Sequence, residues 1–291
     1  MASKKSRRLV TDFFSATPPP PTSGPDTFGA MQVEPETKQA ATTFVEQQTR
    51  TLTFVRPRNV DPSVEMWYCA DFYPAQQAAA LYDTLKANLP WAQGYTVIAG
   101  KSHVQKRLTC LLGASPYYYS GQAHQPHAWD PSLHLVRHWL ERVAQHRPPL
   151  PDASCNFQWP AEQAFSVEVP WQLDTDPDTD LKQVVFNGCL CNWYRNGSDQ
   201  IAMHRDNEQD LVPQSWIASC SLGATRRFYM THQPSHDRAK HLQFDLTSGS
   251  LLIMGHRSQE VYLHGVHPSR TVHAGRINLT FRSFAPETIA R

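Results

Sequence analysis

The sequence predicts an α+β fold: a double-stranded β-helix, or jelly-roll, core with two helices packed on its outside. Three observations predict it. Beyond residue 183 the chain breaks into short β-rich runs separated by turn-rich loops, two stretches upstream carry apolar residues at helical spacing, and 23 prolines in 291 residues favour long irregular connections over helical bundles.

The first helix is expected over residues 74–89, where Ala78, Leu81, Tyr82, Leu85 and Leu89 recur on one stripe and Asp71 or Pro74 marks the start. The second is expected over 130–146. There Leu133, Val136, Leu140 and Val143 form the stripe, Pro131 sits in the first turn, basic residues gather near the end, and Pro148-Pro149 stops the helix. Strands are expected at 184–194, 216–221, 227–229, 250–254, 261–264 and 276–284. Residues 1–60 read as a mostly disordered tail, with a proline tract at 18–21 and few residues that would build a packed face before Phe54. One apolar knot, Leu9 to Phe14, interrupts the tail and is the kind of segment that docks on a partner. Two folded segments follow, 61–150 and 151–291.

A net charge of +1 removes any argument for nucleic-acid binding from bulk charge, so local clusters must carry it. No apolar run approaches the roughly 20 residues of a membrane span, and the basic N-terminus lacks the apolar stretch of a signal peptide, so a soluble intracellular protein is expected. The six cysteines, Cys69, Cys110, Cys155, Cys189, Cys191 and Cys220, are scattered and form no C-x-x-C pair, which predicts reduced thiols. Cys189 and Cys191, two apart in a strand, fall on one face as small apolar wall residues.

The chemistry centres on His204-Arg-Asp206. Extended geometry points His204 and Asp206 to one side, so two ligands can meet one metal, and His264 in an apolar strand is the best-placed third. Two histidines and one carboxylate leave half an octahedron open. That suits Fe(II) with exchangeable positions for a bidentate co-substrate and O₂, whereas structural zinc wants four closed ligands. A surface turn is the other reading of this short motif. Arg276-Ile-Asn-Leu-Thr-Phe-Arg282 alternates strictly, with Arg276, Asn278, Thr280 and Arg282 facing one way and Ile277, Leu279 and Phe281 the other. If the polar face points inward, both arginines need anionic partners and a dicarboxylic acid would satisfy them. If it points outward, water does.

From about Val184 to Phe284 the sequence resembles the AlkB-like Fe(II)/2-oxoglutarate dioxygenases, which oxidatively dealkylate nucleic acids. The elements stand in that family's order: Asn192-Trp-Tyr194, His204-Arg-Asp206-Asn-Glu208, the run from Ser221 to Phe228, Gly249 to Met254, His264, and Arg276 to Arg282. The resemblance implies His204, Asp206 and His264 as iron ligands, with Fe(II), 2-oxoglutarate and O₂ as cofactor and co-substrates. It implies Arg276 with Tyr194 at the distal carboxylate of 2-oxoglutarate, and Arg282, Asn192 and Asn278 around its other end. Residues 56–150 look like the nucleotide-recognition lid of the nuclear repair members, in which Tyr119 and Ser120 would contact a flipped base and Glu208 its polar edge. Tyr95 to Lys101 resembles their duplex-inserting finger, without an aromatic tip. Ile98 and Ala99 would form its wedge and Lys101, Lys106 and Arg107 would neutralise phosphates; an ordinary β-hairpin is the plainer reading. In the tail, Arg7 to Phe14 resembles the peptide by which repair proteins dock on the sliding clamp, with Val10, Phe13 and Phe14 as anchors. The resemblance therefore implies a nuclear, monomeric enzyme that demethylates 1-methyladenine and 3-methylcytosine in DNA, probing duplex through a flipped base and releasing formaldehyde, succinate and CO₂. RNA demethylation, protein hydroxylation, and nucleic-acid binding without turnover are the rival readings.

Overall fold

The computed structural model describes residues 49–98, 100–113, 117–119, 122–149, 158–171, 186–206, 210–234 and 238–285, all within the compact unit Glu46–Arg291. The larger of two facing sheets begins with β1 (Thr49–Val55) and β2 (Met66–Cys69), continues through the hairpin of β3 (Ala92–Ile98) and β4 (Lys101–Gly113), and takes in β7 (Ala164–Pro170) and β8 (Gly188–Tyr194). The later strands β10 (Ile217–Gly223), β13 (Leu251–Met254) and β15 (Arg276–Arg282) complete it, in the order β3-β4-β8-β15-β10-β13-β2-β1-β7. The smaller sheet holds β9 (Ile201–His204), β11 (Arg226–His232), β12 (Leu242–Leu246) and β14 (Tyr262–Val266), ordered β12-β11-β14-β9. A separate two-stranded ribbon pairs β5 (Tyr117–Tyr119) with β6 (Gln122–His124). Neighbouring strands run antiparallel throughout both large sheets, which is the jelly-roll arrangement expected.

Two cores follow from strand alternation. Between the sheets, Tyr194, Ile217 and Met254 of the large sheet pack with Phe228, Met230, Tyr262 and Val266 of the small one. On the other face of the large sheet, Cys189, Cys191, Cys220, Ile277, Leu279 and Phe281 meet the apolar stripes of two helices. The first, α1 (Ala75–Asn88), buries Ala78, Leu81 and Leu85, and the second, α2 (His134–Gln145), buries Val136, Trp139, Leu140 and Val143. Each large apolar side chain removed from water stabilises the fold by about 1.5–3 kcal/mol, so this face alone accounts for much of the driving force.

Both helices stand where the apolar stripes place them, with one refinement. Residues Pro131–Leu133 form a single 3₁₀ turn before α2, because the Asp130 carboxylate accepts from the Ser132 backbone N–H at 2.9 Å and its hydroxyl at 2.6 Å. A short helix, α3 (Ser258–Val261), takes the first residue of the strand expected at 261–264. The strand expected to run to residue 284 ends at Arg282, and Phe284 makes an isolated bridge to Leu211 instead.

Two boundaries differ from expectation. The tail assigned to residues 1–60 contains β1, whose Leu52 and Phe54 are fully buried and whose seven residues all pair with β7. A two-residue apolar alternation is enough once a partner strand from 110 residues downstream supplies the other side. The division at residue 150 does not separate two folded parts either, since β2 pairs with β13 and β4 with β8 inside one sheet. The finger segment is a hairpin, β3 with β4, turning at Gly100 with φ +76°. Val10, Phe13, Phe14, Ala99, Ser120 and Glu208 lie outside the described residues.

Candidate metal centre

His204 ends β9 and pairs directly with His264 of β14 across the antiparallel ladder, which brings their imidazole centroids to 4.4 Å. Asp206, two residues on, turns into the same space and is held there by its own backbone N–H, which donates to Gln259 Oε1 of α3 at 2.9 Å. Its Oδ1 lies 3.5 Å from His204 Nε2 and 3.9 Å from His264 Nε2, and all the ligand atoms of the trio fall within 4.8 Å of one another.

The protonation states favour a cation at their centre. His204 Nδ1 donates to the Ala202 carbonyl at 2.8 Å, which turns Nε2 toward the trio. Burial, reinforced by neighbouring His204, brings His264 down to about 3, so it is neutral at physiological pH. Burial on its own would raise the Asp206 carboxyl, but the Arg282 guanidinium, donating to Oδ2 at 2.6 Å, and then the histidines hold it well below the usual range. Asp206 Oδ1 and His264 Nδ1 are both buried with no hydrogen-bond partner among the described residues. An anionic oxygen left bare at the meeting point of two imidazole lone pairs fits a divalent cation, and the open remainder of the sphere fits Fe(II) better than closed structural zinc.

Beside the trio, β15 turns its polar face inward: Arg276, Asn278, Thr280 and Arg282 line a pocket with Asn192 and Tyr194 of β8 and Ser219 of β10. The reading in which these arginines face water is excluded, as Arg276 is 1% and Arg282 3% exposed. Arg282 donates through Nη2 to Asp206 Oδ2 at 2.6 Å, which joins the polar face of β15 to the metal trio. Arg276 has no carboxylate partner among the described residues; its Nη2 donates to Ser221 Oγ at 2.8 Å and Asn278 Oδ1 at 2.5 Å, and its Nε is buried without a partner. Burial pulls this guanidinium down to about 10, opposed by the Tyr194 oxygen, and leaves it charged at neutral pH. Asn278 is itself fixed, accepting from Ser219 Oγ at 3.0 Å and donating to Thr280 Oγ1 at 2.7 Å.

Sequence reasoning missed the residues that brace this site. Arg226 of β11, 2% exposed, donates to the backbone carbonyls of Asn196, Asp199 and His267 at 3.1, 2.9 and 2.7 Å. It thereby ties the turn between Tyr194 and β9 to the loop between β14 and β15, and its guanidinium and that of Arg276 lie 5.7 and 5.4 Å from the Tyr194 ring centroid. Gly197 belongs to the same seam, because a Cβ there would run into the carbonyl oxygens of Ser269 and Val272. Ser219 and Ser221 alternate with Ala218, Cys220 and Leu222, a signal that marked β10 as two-faced.

Arg107 was expected to neutralise phosphates with Lys101 and Lys106; the lysines are exposed, whereas Arg107 is 4% exposed and lines the pocket, because alternation along β4 turns Gln105, Arg107 and Thr109 inward and Lys106 outward. Ile98 ends β3, and Tyr119 ends β5 in the ribbon apart from both large sheets.

Comparison with known proteins agrees with this geometry. A bovine (Bos taurus) protein, alpha-ketoglutarate-dependent dioxygenase alkB homolog 3, is 28% identical over 226 residues, covering 75% of this chain and 66% of its own length. The bovine DNA oxidative demethylase ALKBH2 is 41% identical over 110 residues, covering 35% of this chain and 39% of its own. The chain thus spans under two thirds of the length of these curated relatives. The solved structure of OsALKBH1 covers 77% of this chain and 99% of its own at 17% identity, with a TM-score of 0.47. The profile of the 2OG-Fe(II) oxygenase superfamily matches residues 65–282, a span that begins at Glu65 just before β2, ends on Arg282 and contains the whole His-Asp-His trio with the β15 arginines. Homologous to the AlkB proteins and carrying this trio on a jelly roll, the chain belongs to the 2OG-Fe(II) oxygenase superfamily.

Proposed function

We propose that this chain is an Fe(II)/2-oxoglutarate-dependent dioxygenase that removes N-methyl groups from 1-methyladenine and 3-methylcytosine in DNA, releasing formaldehyde, succinate and CO₂. The observation that carries the reading is the convergence of bare Asp206 Oδ1 with two imidazoles, next to a buried arginine, Arg276, that has no carboxylate partner among the described residues. The homologues named as a DNA oxidative demethylase and an alkB dioxygenase support the substrate class.

His204, Asp206 and His264 would hold Fe(II), which when bound supplies the coupling of co-substrate decarboxylation to oxidation of the methyl carbon by O₂. The chain does the rest by positioning. Arg282 keeps Asp206 ionised and oriented, the Ala202 carbonyl keeps the His204 proton on Nδ1, and Ile201, Phe228, Met254 and Val266 wall the pocket against bulk water. Arg276 and Tyr194 would take the distal carboxylate of 2-oxoglutarate, with Asn192 and Asn278 toward its other end. In the base pocket Tyr119, Ser120 and Glu208 would receive a flipped base, while Ile98 and Ala99 would wedge the duplex and Lys101 and Lys106 meet phosphates. A monomer acting in the nucleus, tethered to the sliding clamp through Val10, Phe13 and Phe14, completes the proposal.

The test is mass spectrometry of oligonucleotides carrying either lesion, single- and double-stranded, incubated with protein, Fe(II), 2-oxoglutarate and ascorbate in air. Loss of the methyl mass only with 2-oxoglutarate present is the expected result. Demethylation of matched RNA with DNA untouched would overturn the substrate assignment, and absence of succinate from iron-loaded protein would overturn the activity.

A further inference from the structure

Arg107 is a buried cation facing the pocket that the metal trio and the β15 arginines do not account for. β4 pairs with β8 through Leu108–Trp193 and Thr109–Asn192, so Arg107 stands level with Tyr194, which pairs in turn with Arg276 on β15. Three neighbouring strands therefore present Arg107, Tyr194 and Arg276 in one row along the pocket wall. The Arg107 Nε donates to Asn192 Oδ1 at 2.6 Å, which aims the guanidinium along the cavity, while its Nη2 is buried with no partner among the described residues.

The charges around the pocket do not balance. Its lining contains Arg107, Arg276 and Arg282 against Asp206 alone, and Arg282 already takes that carboxylate. Among the described residues, neither Arg107 nor Arg276 has a carboxylate within ion-pair distance. A buried guanidinium with an unmade hydrogen bond is costly in the free protein, and an entering carboxylate relieves that cost. Two such guanidiniums in one row match a dianion better than a flipped methylated base, since 1-methyladenine and 3-methylcytosine carry positive charge in their protonated forms.

We propose that Arg107 is a second cationic anchor for 2-oxoglutarate, donating through Nη2 to a carboxylate oxygen while Nε keeps Asn192 in place. The inference rests on the dioxygenase reading above and adds to it a binding residue outside the β15 motif.

The test is calorimetric titration of 2-oxoglutarate into protein loaded with Mn(II), which does not turn over, using wild type, Arg107→Gln and Arg107→Lys. Binding by wild type is the condition of the dioxygenase reading, and its failure would overturn that reading before Arg107 is at issue. With wild type binding, Arg107→Gln should weaken 2-oxoglutarate by about tenfold or more, the scale of one charged hydrogen bond. Mn(II) affinity and the melting temperature of the metal-loaded form should stay close to wild type. Arg107→Lys keeps the charge but lacks the fork that serves Asn192 and a carboxylate together, and should fall between the two. Unchanged 2-oxoglutarate affinity in either variant that folds would overturn the proposal. So would weakened affinity for a methylated oligonucleotide with 2-oxoglutarate binding intact, which would place Arg107 at the base.

Discussion

The two faces of β15 make the sharpest comparison in this molecule. Ile277, Leu279 and Phe281 point toward α1 and α2 in a packed apolar core, while Arg276, Asn278, Thr280 and Arg282 point between the sheets into the pocket. All seven residues are buried, so burial does not distinguish the faces. What differs is how each side chain is satisfied. The apolar face is satisfied by contact, and its atoms gain by leaving water. The polar face is satisfied only in part: Arg282 by Asp206, Asn278 by Ser219 and Thr280, Arg276 by neutral hydroxyl and amide groups that leave its charge without a counter-ion. Stability is concentrated on one side of the strand and the capacity to bind on the other, an arrangement in which the scaffold can keep costly charged groups dry before a ligand arrives.

Substitutions on the two sides should separate these roles. The largest effect on turnover is expected from His204→Ala, which takes away one corner of the metal trio: formaldehyde release should fall to background, while the melting temperature shifts little because His204 is half-buried at the end of its strand. Retained formaldehyde release would break the assignment of this face to the chemistry. On the opposite side, Phe281→Ala should cost about 3–5 kcal/mol in urea unfolding, as expected for an aromatic core residue replaced by a cavity. A loss below about 1 kcal/mol would mean that the helix-backed face is not the principal core.

A smaller and pH-dependent effect is expected away from both faces. Burial by itself would raise the Asp61 carboxyl, but hydrogen bonds from Ser63 and His232 and the charge of Lys240 hold it at about 2, below its ordinary 3.8. A carboxyl depressed in the folded state stabilises above its unfolded value and ceases to do so as pH falls through the folded one. Asp61→Asn should therefore cost about 1 kcal/mol at pH 7, the scale of a partly exposed charged hydrogen bond. The gap between variant and wild type should close between about pH 4 and 2, and a gap independent of pH would place the effect of Asp61 in its shape rather than its charge.

Much of the polar face was legible in the sequence. The alternation of Arg276 to Arg282 identified which residues share a side, and the spacing of His204 and Asp206 named two of the three members of the trio. His264 was named as the third from its place in an apolar strand, and the structure supplies the contact, since its pairing with His204 joins strands some 60 residues apart. Arg107 was misread because the run Lys101, Lys106, Arg107 looks like one basic cluster until a strand divides it between two faces. Arg226 stands in the run from Ser221 to Phe228 but received no role, since its partners are backbone carbonyls in two loops and a carbonyl has no residue type. Leu52 and Phe54 looked like part of a tail because the strand that covers them, β7, lies more than 100 residues away.

Local pattern by itself determined the two helices, the alternation of β15, and the chemistry available to the trio, because periodicity and side-chain type are properties of neighbouring residues. The tertiary structure decided which face of each strand became interior. That choice depends on strand order, and the order β4-β8-β15-β10 brings together segments from across the chain, with alternation alone permitting either face to point inward. It is this ordering that sets Arg107, Tyr194 and Arg276 in one row and stands the bare Asp206 oxygen before two imidazoles.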